Sequence, residues 1–211
     1  MKQEKTKRLS VLAMLTALAF VAVAVLRVPV FLFLEYEPKD VVIVLGGFLY
    51  GPMAAAVISA LVSLLEMLTI SDTGLIGFVM NFLSSAAFAC VAALVYKKKR
   101  TLSGAVLGLL AGIVSMTGVM LLWNYLLTPL YMGTPRVDVA AMLLPVFLPF
   151  NLLKSTLNSA LALLLYRPLT QGLRRANLLP QSAAAAGREK RLVWLAAGLI
   201  VICGIVLLVI L

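Results

Sequence analysis

The chain contains no histidine. That absence removes serine–histidine and cysteine–histidine nucleophile pairs, and with them every histidine–metal site. Cysteine is scarce as well. Cys90 and Cys203 each sit inside an apolar run, where a buried hydrophobe is expected and no disulfide framework is. Charged residues make up only 12% of the chain, and the acidic ones are the rarer kind, 8 against 18 basic. No two carboxylates pair at helical spacing inside the apolar segments. No glycine-rich phosphate loop or nucleotide-binding motif occurs either. These absences argue against an enzyme.

Hydrocarbon fills the space that charge leaves. A mean hydropathy of +1.10 with 63% hydrophobic residues excludes a soluble globular chain. Apolar runs at 9–26, 53–70, 77–96, 102–127 and 143–166 approach the roughly 20 residues that a bilayer crossing requires. The first follows a basic head (Lys2, Lys5, Lys7, Arg8) with no small-residue cleavage site before a soluble domain, so it reads as a retained helix rather than a signal peptide. Pro29, Glu35, Glu37 and Asp40 mark a loop. A short helix then starts at Pro38, with Glu37 expected at its cap, and stops at Gly51-Pro52. The expected architecture is an all-α integral membrane protein. It comprises a basic N-terminus (1–8), a six-helix membrane domain (9–175), a polar linker (176–190) and one extra C-terminal transmembrane helix (191–211).

Basic residues set the expected orientation. With the N-terminus in the cytoplasm, the inner side collects the N-terminal cluster, the KKKR run 97–100, Arg167, Arg174, Arg175, Arg188, Lys190 and Arg191. The outer loops keep only Arg27, Lys39 and Arg136. This is a strong positive-inside asymmetry. It places the C-terminus outside and assigns the net charge of +10 to the lipid bilayer surface rather than to nucleic acid.

One basic residue belongs to neither side. Lys154 lies inside the run LLPVFLPFNLLKSTLNSALALLLY, with Asn151 three residues before it and Asn158 four after, all on one helical face. An ammonium at a helix centre costs about 2.5–3.5 kcal/mol by insertion scales and usually faces a cavity or a partner. Under the expected topology Asn81, Asn124, Asn151 and Lys154 converge at one depth near the outer face, the pattern of a ligand pocket. Singly, each asparagine also fits an interhelical hydrogen bond. Glu66, alone near the outer end of its span, reads equally as a ligand contact and as the partner of a basic group.

Four segments carry a family likeness: EYEPKDVVIVLGGFLYGP (35–52), GFVMNFLSS (77–85), NYLLTPLY (124–131) and LPFNLLKS (148–155). Together they resemble the substrate-binding S component of energy-coupling factor (ECF) vitamin transporters, in its riboflavin-specific branch, over roughly residues 8–175. The resemblance implies a six-helix fold with a short second helix and a vitamin pocket near the outer surface of a bacterial cell membrane. It also implies that Asn124 and Lys154 contact the flavin ring system, with riboflavin as transported ligand and no cofactor. A flavin ring needs aromatic walls, for which Tyr36, Phe82, Tyr125 and Tyr131 are candidates. The likeness departs at the third helix, where the family carries Lys-Asn and this chain has Ser63-Leu64.

The first helix carries the small-residue stripe Ala13-x-x-x-Ala17, with Ala24 further along nearly the same face. In the family such a stripe docks onto a transmembrane coupling subunit driven by two ATPase subunits. The residues alone leave open a pyridoxine-like vitamin, and a membrane scaffold that transports nothing.

Overall fold

The computed structural model describes residues 2–31 and 34–176. The proposed seventh helix (191–211), Cys203 and all but the first residue of the linker lie outside that set. The described chain runs α1 (Lys2–Leu26), β1 (Val28–Phe31), β2 (Leu34–Tyr36), α2 (Lys39–Tyr50), α3 (Pro52–Thr69), α4 (Gly74–Lys98) and α5 (Leu102–Met132). A short α6 (Arg136–Met142) passes through a π-helical turn (Leu143–Phe147) into α7 (Leu148–Arg175). Among the described residues, five stretches are long and apolar enough to cross a membrane: Lys5–Leu26, Pro52–Thr69, Gly74–Lys98, Leu102–Leu130 and Arg136–Leu169. The chain is a multi-pass membrane protein.

The short second helix is the centre of the bundle. α2 has 12 residues, about 18 Å at 1.5 Å per residue, well under the roughly 30 Å of a hydrocarbon core. Ten of its residues, Lys39 to Phe48, are buried, and it packs on α1, α3, α4 and α7. Its apolar run VVIVL joins Leu15, Ile58, Val62 and Phe88 in one large core. Because α2 is enclosed on every side, its first residues carry Lys39 and Asp40 into the interior rather than into a loop.

Close approach between α4 and α5 rests on missing side chains. Gly108 and Gly112 form a G-x-x-x-G step on α5. A Cβ at Gly108 would lie 2.5 Å from the carbonyl oxygen of Ala92, and one at Gly112 would lie 2.7 Å from that of Phe88. Such small-residue steps let helix backbones meet where the surrounding lipid supplies no hydrophobic drive.

Three expectations need correction. The segment between α1 and α2 is not a plain loop. β1 and β2 pair antiparallel with Val28 opposite Tyr36 and Pro29 opposite Glu35. Pro29 lacks an N–H but is tolerated in a strand with a free edge. The fifth span runs on through Pro129 to Met132, ending at Gly133 in the left-handed conformation (φ 65°). Its successor starts at Arg136 rather than at 143, because the π turn at Leu143–Phe147 absorbs Pro145 without ending the helical path. The β-ribbon is held to that region by a second apolar cluster of Leu34, Val139, Phe147 and Phe150.

Gly108→Ala should destabilise the protein by about 1–3 kcal/mol, since the new methyl meets backbone that cannot rotate away. At Gly118 a Cβ meets nothing within 4 Å, so Gly118→Ala should be neutral or stabilising by up to about 1 kcal/mol. Thermal unfolding of the two variants in detergent checks the contrast. Equal melting temperatures would remove the close-packing argument.

Candidate functional site

Every hydrogen-bonding group on a membrane helix is expensive to leave unpaired, so the polar side chains of α2, α3, α4 and α7 reveal what gathers them. Lys39, 1% exposed at the start of α2, donates to both carboxylate oxygens of Glu66 on α3, at 2.7 and 2.6 Å. It also stands 3.1 Å from Glu37. Lys154 on α7 donates to the other face of the same ion group, with Nζ 2.7 Å from Glu37 Oε2. Asn81 on α4 donates to Glu66 Oε2 at 2.7 Å. Asp40 accepts from Ser85 on α4 and from Asn158 Nδ2, and Asn158 also donates to the Glu37 carbonyl at 3.2 Å.

Two ammonium groups and three carboxylates therefore gather at one end of the bundle, with Glu37 and Glu66 ion-paired to the lysines and Asp40 held by hydrogen bonds. Glu37, in the turn before α2, shows the electrostatics. Burial alone would raise its pKa, but the ammonium groups of Lys154 and Lys39 outweigh it and hold the carboxyl at about 2. Glu37 therefore favours the folded state when ionised. That contribution is complete above its ordinary 4.5 and is lost as pH falls from there towards 2. Tyr36 moves the opposite way, pushed up to about 12 by burial and then by the nearby Asp40 carboxylate.

A cavity of about 540 Å³ opens beside this network, within the usual range for a small-molecule site. Asn81, Asn124, Asn151, Lys154 and Glu66 all line it, together with Glu37, Met120 and Phe150. Each amide is already anchored on one side. Asn124 Nδ2 donates to the Met120 carbonyl at 2.7 Å and its Oδ1 accepts from Thr128. Asn151 Nδ2 donates to the Phe147 carbonyl at 2.8 Å. An NH₂ group has two hydrogens and an ammonium three. Each of these side chains thus keeps donor capacity beyond its bonds to the described residues, while its rotamer is fixed. The β1–β2 ribbon closes one wall through Leu34 and Glu35, and Arg27 ties that wall down. Its guanidinium donates to Glu35 at 2.8 Å and to the carbonyl of Ile70 at 3.3 Å.

The family is decided by comparison with known proteins. Residues 7–166 match the family described as ECF transporter, substrate-specific component. The chain belongs to that family. A riboflavin transporter of Staphylococcus aureus, RibU, is 33% identical over 185 residues, covering 83% of this chain and 96% of the relative. FmnP of Bacillus subtilis, also named a riboflavin transporter, is 31% identical over 71% of this chain and 85% of its own. A solved S component of a bacterial ECF transporter superposes with a TM-score of 0.69 at 31% identity, over 81% of this chain and 99% of that one. As an ECF S component the chain is part of a transporter and not an enzyme.

Some sequence-based assignments land elsewhere in this S component. Tyr36 does not line the cavity; its hydroxyl donates to Asn158 Oδ1 at 3.0 Å. Phe82 stacks on Phe78 rather than on the cavity, and Tyr125 is 40% exposed on the outer surface of α5. Tyr131 lies in the last turn of α5, with its side chain outside the described set. Glu37 caps nothing: Pro38 holds the cap position of α2, and no side chain bonds the first turn. Lys39 is not a loop residue, and Glu66 is not alone. Of the pair at 63–64, Ser63 points into the bundle and Leu64 is 39% exposed, facing out. Sequence spacing missed the ion cluster because its members come from three separate segments, 37–40, 66 and 154. The available signal was Glu66 and Lys154, two lone charges in apolar runs, each needing an opposite charge.

Lys154→Met leaves Glu37 with one ammonium instead of two. Breaking a buried pair by removing one partner costs about 3–5 kcal/mol, and the remaining Lys39 contact should pull the loss to the lower end. Glu37→Gln combined with Lys154→Met should cost less than the two single changes added together. Unfolding of the four proteins in detergent measures the coupling, and strict additivity would mean that the two groups do not interact.

Proposed function

We propose that this S component captures riboflavin from the outer side of a bacterial cell membrane and hands it inward within an ECF transporter. The carrying observation is the cavity in which Asn81, Asn124, Asn151 and Lys154 from α4, α5 and α7 meet around about 540 Å³ of space. The names of the relatives supply the ligand. Riboflavin suits the chemistry. Its pyrimidine edge alternates carbonyl acceptors with ring nitrogen, which primary amides and an ammonium can meet. Phe150 and Met120, both on the cavity wall, offer apolar surface to a flat ring.

The remaining features of the reading concern placement and partners. Five long spans together with α2 make the six-helix plan, with the N-terminus and the basic run 97–100 in the cytoplasm. Energy comes from a transmembrane coupling subunit and two ATPase subunits. The alanine stripe on α1 supports such docking, because Ala13, Ala17 and Ala24 are exposed on the outside of the bundle.

Purified protein from a riboflavin-containing host should be yellow and should quench the fluorescence of added riboflavin. Asn124→Leu, which removes a cavity donor, should weaken binding by about 0.5–1.5 kcal/mol or more, roughly two- to tenfold. Colourless protein without quenching would count decisively against riboflavin.

A cysteine introduced at Asp138 should react with an impermeant thiol reagent in intact cells, and one at Lys98 should not. The reverse pattern would put the cavity on the cytoplasmic side.

A further inference from the structure

A second cavity, of about 460 Å³, lies at the opposite end of the bundle. It sits where α2 turns into α3 and where α4 ends. Its floor is Gly47, Phe48 and Tyr96, and its rim carries Arg8, Lys97 and Arg100. Gly51, with φ 93°, bends the chain sharply enough to leave this hollow between Tyr50 and Pro52.

Arg8 is held at the rim. Its Nη2 donates to the Tyr50 carbonyl at 3.4 Å, and its guanidinium stands 5.9 Å above the Tyr50 ring. Lys97 and Arg100 have no ion-pair partner among the described residues. The described carboxylates Glu35, Glu37, Asp40, Glu66, Asp72 and Asp138 all belong to the other end of the bundle, around or beyond the first cavity. Among the described side chains, these three cations face one hollow with no carboxylate paired to them. Directly away from it along α3, Met53, Val57 and Leu61 are exposed at successive turns, an apolar track of the kind an acyl chain covers.

We propose that this cavity binds the anionic phosphodiester headgroup of a membrane phospholipid, with its acyl chains lying along the Met53–Val57–Leu61 face of α3. The charges fit a phosphate: Arg offers a fork of donors and Lys a point charge. The location fits a lipid rather than a soluble anion, because the rim of the cavity stands at the membrane end of α3 and opens beside its lipid-facing stripe. This site is separate from riboflavin capture and does not depend on that assignment.

The KKKR run supplies its own control, since Lys97 and Arg100 line the cavity while Lys98 and Lys99 do not. Full-length protein in detergent is titrated with phosphatidylglycerol or with phosphatidylcholine of the same chains, and bound lipid is counted by native mass spectrometry. The parent should retain one phosphatidylglycerol in preference to phosphatidylcholine. Lys97→Gln with Arg100→Gln should weaken that retention roughly ten- to thirtyfold, given about one kcal/mol per basic residue near a membrane surface. Lys98→Gln with Lys99→Gln removes the same charge and should change it by less than about threefold. Unchanged thermal unfolding in detergent shows that the variants are folded. Equal losses in the two double variants would reduce the feature to ordinary positive-inside charge and overturn the site. Displacement of the lipid by millimolar inorganic phosphate would overturn the lipid in favour of a soluble anion. Lipid retention that is unchanged in Lys97→Gln/Arg100→Gln, with loss of co-purifying coupling subunit instead, would make the patch a protein interface.

Discussion

The rest of this structure depends on the ion group around Glu37. A lysine placed alone in hydrocarbon costs several kcal/mol, and this chain buries two of them. Lys39 is 1% exposed and Lys154 is 6% exposed. Neither is tolerable without its carboxylates, so the turn before α2, the end of α3 and the second turn of α7 must meet at one point. Asn81 and Ser85 add α4 to the same point through Glu66 and Asp40. A bilayer interior gives helices little hydrophobic reason to prefer one neighbour over another. Here the choice of neighbour is electrostatic: α2 enters the bundle polar end first because its lysine and aspartate have partners there. A buried ion group is weak evidence for stability compared with an apolar core of equal volume. Its value lies in fixing which elements pack together, and that fixes the cavity wall.

The extent to which this could be read from the sequence follows the range of the forces involved. Span positions follow from runs of apolar residues, a local property, so four of the expected spans appear within about four residues of their expected ends, while the last starts earlier, at Arg136. The short α2 was legible for the same reason, framed by Pro38 and Gly51-Pro52. The convergence of Asn81, Asn124, Asn151 and Lys154 was legible through topology, because their depth in each helix can be counted along the chain. What could not be read is who pairs with whom. Lys39 resembled a loop residue because nothing local shows that Glu66, 27 residues on, reaches back to it. Tyr36 looked like a ring wall, since an aromatic beside a pocket and an aromatic bonded to Asn158 have the same sequence. The glycine step at 108 and 112 was visible as letters, but its meaning needed the Ala92 and Phe88 carbonyls opposite.

The ion group also explains how one lysine can serve both the fold and a ligand. Lys154 uses one hydrogen on Glu37 and faces the cavity with the capacity that is left. A ligand arriving there completes a coordination that the protein has already started, so the side chain loses little rotamer freedom on binding. The same holds for the asparagines: Asn124 and Asn151 are each tethered by one N–H to the carbonyl four residues earlier, and Asn81 is tethered to Glu66. On the proposed riboflavin reading, a site made of such pre-tethered donors would bind by pre-organisation.

The charge balance of the group limits what it can hold. Lys39 and Lys154 face Glu37, Asp40 and Glu66, so the cations are already outnumbered before a ligand enters. Glu35 and Asp72 add further carboxylates at the cavity rim, against Arg27 alone. A ligand carrying its own negative charge would add repulsion where the dielectric is low and screening weak. An uncharged ring that accepts hydrogen bonds exploits the donors without disturbing the balance, and the isoalloxazine of riboflavin is such a ring. Among the described side chains, the opposite end of the bundle carries the reverse imbalance, with three cations unmatched by a carboxylate at its hollow. The two ends therefore favour opposite kinds of molecule, a neutral acceptor at one and an anion at the other. That separation follows from where the described acidic and basic side chains fall along the chain.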